Sequence, residues 1–234
     1  MKKTEAIDKP LKYGCDFCGR EFARETTIAK HICEYKQRWI NKDLPGVRIG
    51  FQSWVQFYQK NTSTKKTKSY DEFIKSAYYT AFVKFGNHCV DINAINISRY
   101  VDWLLKNQIK IDTWTSDVTY TKYLVEYLRT EDALDGVARS VESTIKLSEN
   151  AGVLPRDILR YGNVNRICYE ITKGKISPWM LYQSNSGIEF LGKLMPDHEK
   201  MILDYIDPEK WAIKFKREPE NVRTVKEILT HGGY

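Results

Sequence analysis

No segment of this 234-residue sequence approaches the run of about 20 apolar residues that a membrane-spanning helix needs. Phosphate-cradling loops are missing too: the chain has no G-x-x-x-x-G-K-[ST] and no G-x-G-x-x-G. It also lacks H-E-x-x-H and the G-x-S-x-G nucleophile turn, which sets aside zinc-protease and common hydrolase chemistry. Internal repeats and low-complexity stretches are not apparent. The five cysteines are an odd number and no secretory leader is recognisable, so an intracellular chain is expected, with a metal site in place of a disulfide framework.

The informative residues are concentrated near the start, in Tyr13-Gly14-Cys15-Asp16-Phe17-Cys18 and then Phe22, Ile28 and His31. Zinc takes four ligands in a tetrahedron, and a segment too short for its own core can fold around it. Cys15 and Cys18 suit a hairpin knuckle, and the twelve residues before His31 suffice to finish the hairpin and run a short helix back to the metal. Tyr13, Phe22 and Ile28 then fill a small core. These six positions resemble the two-cysteine, two-histidine zinc-finger family.

The fourth ligand departs from that family, which places a second histidine three to five residues beyond the first. Here those positions hold Tyr35, Lys36 and Gln37, and Cys33 is the nearby candidate. Side chains two apart diverge on a helix, so the helix is expected to unwind just after His31 to bring Cys33 to the metal. The other arrangement leaves Cys33 a free thiol, with water or a remote side chain completing the site. The finger resemblance implies that Arg24, Thr27 and Lys30 face base edges in the major groove of DNA, where arginine suits the N7 and O6 of guanine. One finger spans about three base pairs, so it is expected to position the protein more than to address it. Contact with another protein is the alternative use.

Charge agrees with a polyanionic partner. Residues 1–70 carry 15 basic and 7 acidic side chains, against 22 and 23 in residues 71–234, so the net +7 belongs to the first part. Lys36, Arg38 and Lys42 come after the metal motif with Trp39 among them, and Lys65, Lys66 and Lys68 crowd a Thr/Ser-rich loop. Such cations associate with phosphates by releasing counterions, which makes binding salt-dependent.

The remaining punctuation is helical, giving an expected organisation of a zinc finger with basic extension over 1–42 and an all-helical domain over 43–234. The fold class is therefore mainly α, with a small ββα finger before a multi-helix body. Val47, Phe51, Trp54, Val55 and Tyr58 keep helix spacing. Asp71 can cap a second helix with the stripe Ile74, Ala77, Tyr78, Ala81, Phe82 and Phe85, stopped by Gly86. Further stripes are Ile97 to Leu105, Tyr120 to Leu128, and Leu134, Val137, Ala138, Val141 and Ile145, the last ending near Gly152. Val164 to Ile171 forms another, closed by Gly174. Ser177-Pro178 and Asp207-Pro208 read as an N-cap with proline at the first helical position, and a last helix covers about 220–229.

Two segments look site-like. Around Lys75-Ser76-Ala77-Tyr78-Tyr79, the side chains of Lys75, Tyr79 and Lys84 are expected to leave the core stripe together as a basic and aromatic face. Ser177-Pro178-Trp179-Met180-Leu181-Tyr182-Gln183-Ser184-Asn185-Ser186-Gly187 offers a capped helix and a polar turn suited to an anion, or simply a corner packed by Trp179 and Leu181. His88, Cys89 and Asp91 are expected in a loop after Gly86. Cys168 is expected in the core.

The finger together with K-S-x-Y-Y-x-A-F-x-K-F-G and S-P-W-x-L-Y-x-S-x-S-G resembles tailed-phage amino acid:DNA transferases. That resemblance implies transfer of an amino acid onto an already modified thymine, with zinc as cofactor, DNA as partner, an amino-acid substrate and residence in the host cytoplasm. Lys75, Tyr79, Lys84, Tyr182 and Ser184 would then orient phosphate and handle protons. The helical body also resembles phage helicase-loading proteins, which implies a non-enzymatic, basic accessory factor that binds forked or single-stranded DNA and recruits a partner. A regulator of transcription or packaging that docks through the finger is a third class. A concave pocket joining the two site-like segments would favour the transferase, and an exposed apolar patch with no pocket the loader.

Overall fold

A computed structural model describes residues 12–61 and 68–234. The protein is mainly α, with one two-stranded sheet near its start. The chain divides into two compact units, one ending at Ser116 and the other covering Asp117–Tyr234. Among the described residues no helix is long and apolar enough to cross a membrane.

The first unit opens with β1 (Tyr13–Gly14) and β2 (Glu21–Phe22), antiparallel with Tyr13 opposite Phe22. Then come α1 (Glu25–Lys30), α2 (Glu34–Ile40), α3 (Pro45–Asn61), α4 (Tyr70–Ile74), α5 (Tyr79–Asp91) and α6 (Ile97–Lys106). Helices α3 and α5 pack at near backbone contact, and glycine is the reason. A Cβ on Gly86 would fall 1.9 Å from the carbonyl oxygen of Gly46, and one on Gly50 would fall 2.6 Å from that of Phe82. Gly86 therefore lies inside α5 as a packing residue, and the expected helix stop is corrected. With the helix continuing to Asp91, His88, Cys89 and Asp91 are helical, not in a loop. Phe73, Phe82, Phe85, Tyr100, Leu104 and Trp114 are fully buried around this contact.

The single helix expected from Asp71 is two helices. Ser69 caps α4 in a reciprocal box with Glu72, accepting from the Glu72 amide while the Glu72 side chain accepts from the Ser69 amide. The chain then breaks after Ile74, where the Ser76 hydroxyl accepts from the Tyr78 amide at 3.1 Å. This non-helical turn shifts the phase of α5 relative to α4: Tyr78 is 43% exposed and Tyr79 only 8%. The expected outward placing of Tyr79 is thereby reversed.

The second unit contains α7 (Asp117–Thr130), α8 (Ala133–Ala151), α9 (Ile158–Tyr161), α10 (Val164–Thr172), α11 (Pro178–Gln183), α12 (Asn185–Leu191), α13 (Pro196–Ile206), α14 (Pro208–Arg217) and α15 (Pro219–His231). All five residues of the α7 stripe are buried, as their spacing predicts. Helix α11 is the hub, touching α8, α12 and α15. Its Trp179 packs against Trp211 and Phe215 with ring centroids 6.0 and 5.0 Å apart.

Helix α8 corrects another expectation. Val137 of the expected stripe is buried, but Leu134 and Ile145 face outward, whereas Ser140, Ser143, Thr144 and Ser148 are buried. The small hydroxyl stripe docks the segment before α11: Ser140 Oγ accepts from the Ser177 amide at 2.7 Å, and Ser143 Oγ donates to the Lys175 carbonyl at 2.9 Å. Beside it, buried Glu131 accepts from Arg139 at 2.6 Å and from Ser177 Oγ at 2.7 Å. A buried carboxylate fully met by donors is a structural device here, since leaving any partner unpaired would cost the desolvation of that group.

Candidate metal centre and nucleic-acid interface

Between β1 and β2 the chain turns through Gly19, whose φ of +70° favours a residue without a side chain. The Gly19 amide donates to the Cys15 carbonyl at 2.8 Å, and the Cys15 amide to the Arg20 carbonyl at 2.9 Å. This knuckle aims both cysteine sulfurs to one side. Helix α1 ends at Lys30, and His31 is extended, with φ −72° and ψ 120°. The expected unwinding is present but comes one residue earlier, at His31 itself, and Cys33 lies with the other ligands.

The ligand atoms of Cys15, Cys18, His31 and Cys33 all lie within 4.8 Å of one another. Cys15 and Cys33 sulfurs are 4.0 Å apart, and Cys18 Sγ is 3.3 Å from His31 Nε2. Zinc with sulfur ligands at about 2.3 Å and a nitrogen at about 2.1 Å gives tetrahedral edges of about 3.8 Å between sulfurs and about 3.6 Å from sulfur to nitrogen, and these two edges lie within about 0.3 Å of that spacing. Three thiolates and an imidazole also match zinc chemically, and four protein ligands leave no open position. The amide N–H groups of Cys18 and Phe17 pull the Cys15 thiol below its ordinary range, which favours the form that binds metal. Cys33 also serves the backbone, because its sulfur accepts from the Lys36 amide at 3.4 Å and so caps α2.

The finger's own core is thin. Tyr13, Phe22 and Ile28 are only half-buried, and α1 has no buried residue. Apolar burial of that extent does not hold a short segment together, and an ion held by the four ligands would supply the missing folding energy. Further support comes from the helical part of the same unit. Trp39 on α2 lies between Phe17 of the knuckle and Tyr70 of α4, with centroids 6.0 and 5.6 Å away.

The expected nucleic-acid contacts divide into free and engaged side chains. Arg24, at the extended N-cap of α1, and Thr27 and Lys30 on the helix are exposed and make no side-chain hydrogen bond or ion pair among the described residues. Lys42 is exposed over the Trp39 ring at 5.1 Å. Lys36 donates to the His31 carbonyl at 3.2 Å, and Lys68 pairs with Glu72 at 2.9 Å. Arg38 is committed to structure: it donates to the Ile74 carbonyl at 2.5 Å and also pairs with Glu34, with its side chain 15% exposed. Lys65 and Lys66 lie outside the described residues. The unit boundary also sorts charge: residues up to Ser116 hold 20 basic and 12 acidic side chains, and the rest 17 and 18.

The five side chains implied in chemistry by the transferase resemblance fall into different settings. Tyr79 and Lys84 line a cleft of about 570 Å³ on α5, together with Thr80, Val83, Asn87, His88, Asp91 and Thr115. Lys75 is exposed at the end of α4 and is not part of that cleft. In the second unit, Tyr182 donates to the Ile206 carbonyl at 2.5 Å, and burial, with the Asp207 carboxylate, pushes its phenol up to about 12. Ser184 is buried, caps α12 and donates to the Met180 carbonyl at 2.8 Å. The polar turn expected to receive an anion is therefore internal, and its hydroxyls serve the chain itself. Cys168 is buried as expected, and Cys89 is as well, its thiol pushed up to about 12 by desolvation. Sequence reasoning missed Thr80, Asn87 and Thr115. The signal was the spacing of residues 80, 84, 87, 88 and 91 on one face, legible only once the helix is carried through Gly86.

Compared with models of known families, with curated proteins and with solved structures, the chain matches none.

Proposed function

We propose that this protein is a zinc-dependent DNA-binding protein whose finger grips DNA through the exposed Arg24, Thr27 and Lys30. The observation that carries this reading is the convergence of four metal-ligating atoms within 4.8 Å, on a segment too thinly packed to fold without an ion. The excess of positive charge in the same unit supports a phosphate-bearing partner. A closed site of four protein ligands is the structural kind, so the metal shapes the binding surface and takes no part in turnover.

The test is metal content together with fluorescence anisotropy on duplex and forked oligonucleotides at several salt concentrations. Wild-type protein should carry one zinc per chain and lose affinity steeply with salt. Cys15→Ser with Cys18→Ser should lose both the metal and the binding. Retained binding by that variant would overturn the reading.

For the activity beyond binding we propose base modification, the transfer of an amino acid onto hypermodified thymine. The observation in its favour is that Tyr79 and Lys84 of the first site-like segment line a cleft in the unit that carries the finger, although the second segment takes no part in that cleft. Incubation with modified DNA and amino acids, and then mass analysis of nucleosides, tests it. Unchanged nucleosides with every amino acid, alongside tight fork binding, would favour the helicase-loader class instead.

A further inference from the structure

The cleft on α5 has a chemistry of its own. Thr80, Lys84 and His88 form one column of side chains four residues apart, and Val83, Asn87 and Asp91 form the neighbouring column. Thr115, beyond the helix, also lines it. Four residues of helix advance about 6 Å, so a hydroxyl, an ammonium and an imidazole are offered in sequence along one wall. Lys84 makes no ion pair among the described residues, and neither does Asp91. The cleft's lysine and its carboxylate are separated by about 10 Å along the axis, which is seven helical residues.

We propose that this cleft is a binding site for one nucleoside monophosphate unit, held with its phosphate at Thr80 and Lys84 and its sugar and base toward Asn87, Asp91 and Thr115. Ammonium, hydroxyl and imidazole groups are donors suited to phosphate oxygens, and lysine acts on phosphate as a point charge. Asp91 cannot face a phosphate, but it can accept from a sugar hydroxyl or an exocyclic amine, and Asn87, whose Oδ1 lies against Gly46 of α3, can donate its amide N–H. One cation suits one phosphate: a second phosphate would lie nearer Asp91 and be repelled by it. The volume, about 570 Å³, falls in the usual range for small-ligand clefts. The phosphate unit can come from a free mononucleotide or from the 5′ end of a strand.

The site rests on different residues from the finger, so the two can fail separately. Zinc-loaded full-length protein is titrated calorimetrically with deoxynucleoside monophosphates, the parent nucleosides, inorganic phosphate and a short 5′-phosphorylated single strand. The monophosphates should bind saturably, at least tenfold tighter than the nucleosides. Lys84→Gln should weaken them at least tenfold with an unchanged thermal midpoint. Asp91→Asn should leave inorganic phosphate as tight or tighter while narrowing the preference for nucleotide over phosphate. Equal binding of mononucleotide and strand would assign a free nucleotide, and preference for the strand an end-binding role. An Arg24→Ala, Lys30→Ala double variant should lose duplex affinity and bind monophosphates as wild type does. No saturable binding of any monophosphate or 5′-phosphorylated strand, or wild-type monophosphate affinity in Lys84→Gln, would overturn the proposal.

Discussion

The guanidinium of Arg38 lies 4.3 Å from the centroid of the Tyr79 ring, joining the helix just beyond the metal ligands to the first residue of α5. The same side chain closes α4 by donating to the Ile74 carbonyl, and the Tyr70 hydroxyl donates back to the Arg38 carbonyl at 2.9 Å. Arg38 is thus a fastener between finger and helices within the first unit. It is predicted to act on stability and not on phosphate contact. Replacing Arg38 with Met should lower unfolding stability by about 2 kcal/mol, the scale of a charged hydrogen bond with a cation–π contact. At temperatures where the variant stays folded, the slope of DNA affinity against salt should stay as in wild type, whereas Lys30→Ala should reduce it by about one unit.

Zinc removal should unfold more than the ligands. Chelation is expected to lower the thermal midpoint and to remove helicity from α1 and α2, seen as loss of amide protection over residues 13–40. Cobalt substitution reads the ligand set directly. The wild-type protein should show charge-transfer absorption from three thiolates, and Cys33→Ser a weaker band from two. An unchanged band would mean that Cys33 is not a ligand.

Gly86→Ala is predicted to be far more damaging than a helix-interior glycine replacement ordinarily is. Propensity alone favours alanine by about 1 kcal/mol. The added Cβ would sit 1.9 Å from the Gly46 carbonyl oxygen, so α3 and α5 must separate, at a cost of about 3 kcal/mol or more. Denaturant unfolding of the variant measures the sign: a gain in stability would show that the helices do not pack at this distance.

Tyr182 provides a prediction in alkali. Its phenol is raised from the ordinary 10 to about 12, so the folded protein holds that proton more tightly than the unfolded chain. The resulting stabilisation is present in full below pH 10 and is lost as pH rises through about 12. Tyr182→Phe should therefore narrow its stability gap to wild type over that window. A difference titration of phenolate absorbance should place Tyr182 among the last tyrosines to ionise. At neutral pH the group stays protonated and is a hydrogen-bond donor, which argues against its acting as a general base.

The metal motif and most helices were legible because each rests on local spacing. Cys15, Cys18 and His31 carry their own pattern, and the Tyr120 to Leu128 stripe sits on a helix that tertiary packing does not disturb. The break after Ile74 was not legible. Ser69 and Asp71 are both capping types, and Lys75-Ser76-Ala77 holds neither proline nor glycine to mark a turn. Gly86 misled for the converse reason: as a sequence signal it stops a helix, and only the partner helix reveals it as a contact. The α8 face was only partly legible: Val137 is buried as expected, but serine and threonine read as solvent-facing, although here they bind the chain segment docked against them. The α5 cleft was hidden by the same misreading of Gly86, since its residues align only on an uninterrupted helix.

Trp39 has a half share in two hydrophobic neighbourhoods, Phe17 on one side and Tyr70 on the other, and Cys33 both holds the metal site and seats the helix that carries it. Losses at Phe17 and Tyr70 should consequently fail to add, since either one already uncovers the shared indole. Excised at its apparent end, the finger would forfeit a wall that it borrows, and a transplanted copy would need an aromatic residue waiting for it in the new host.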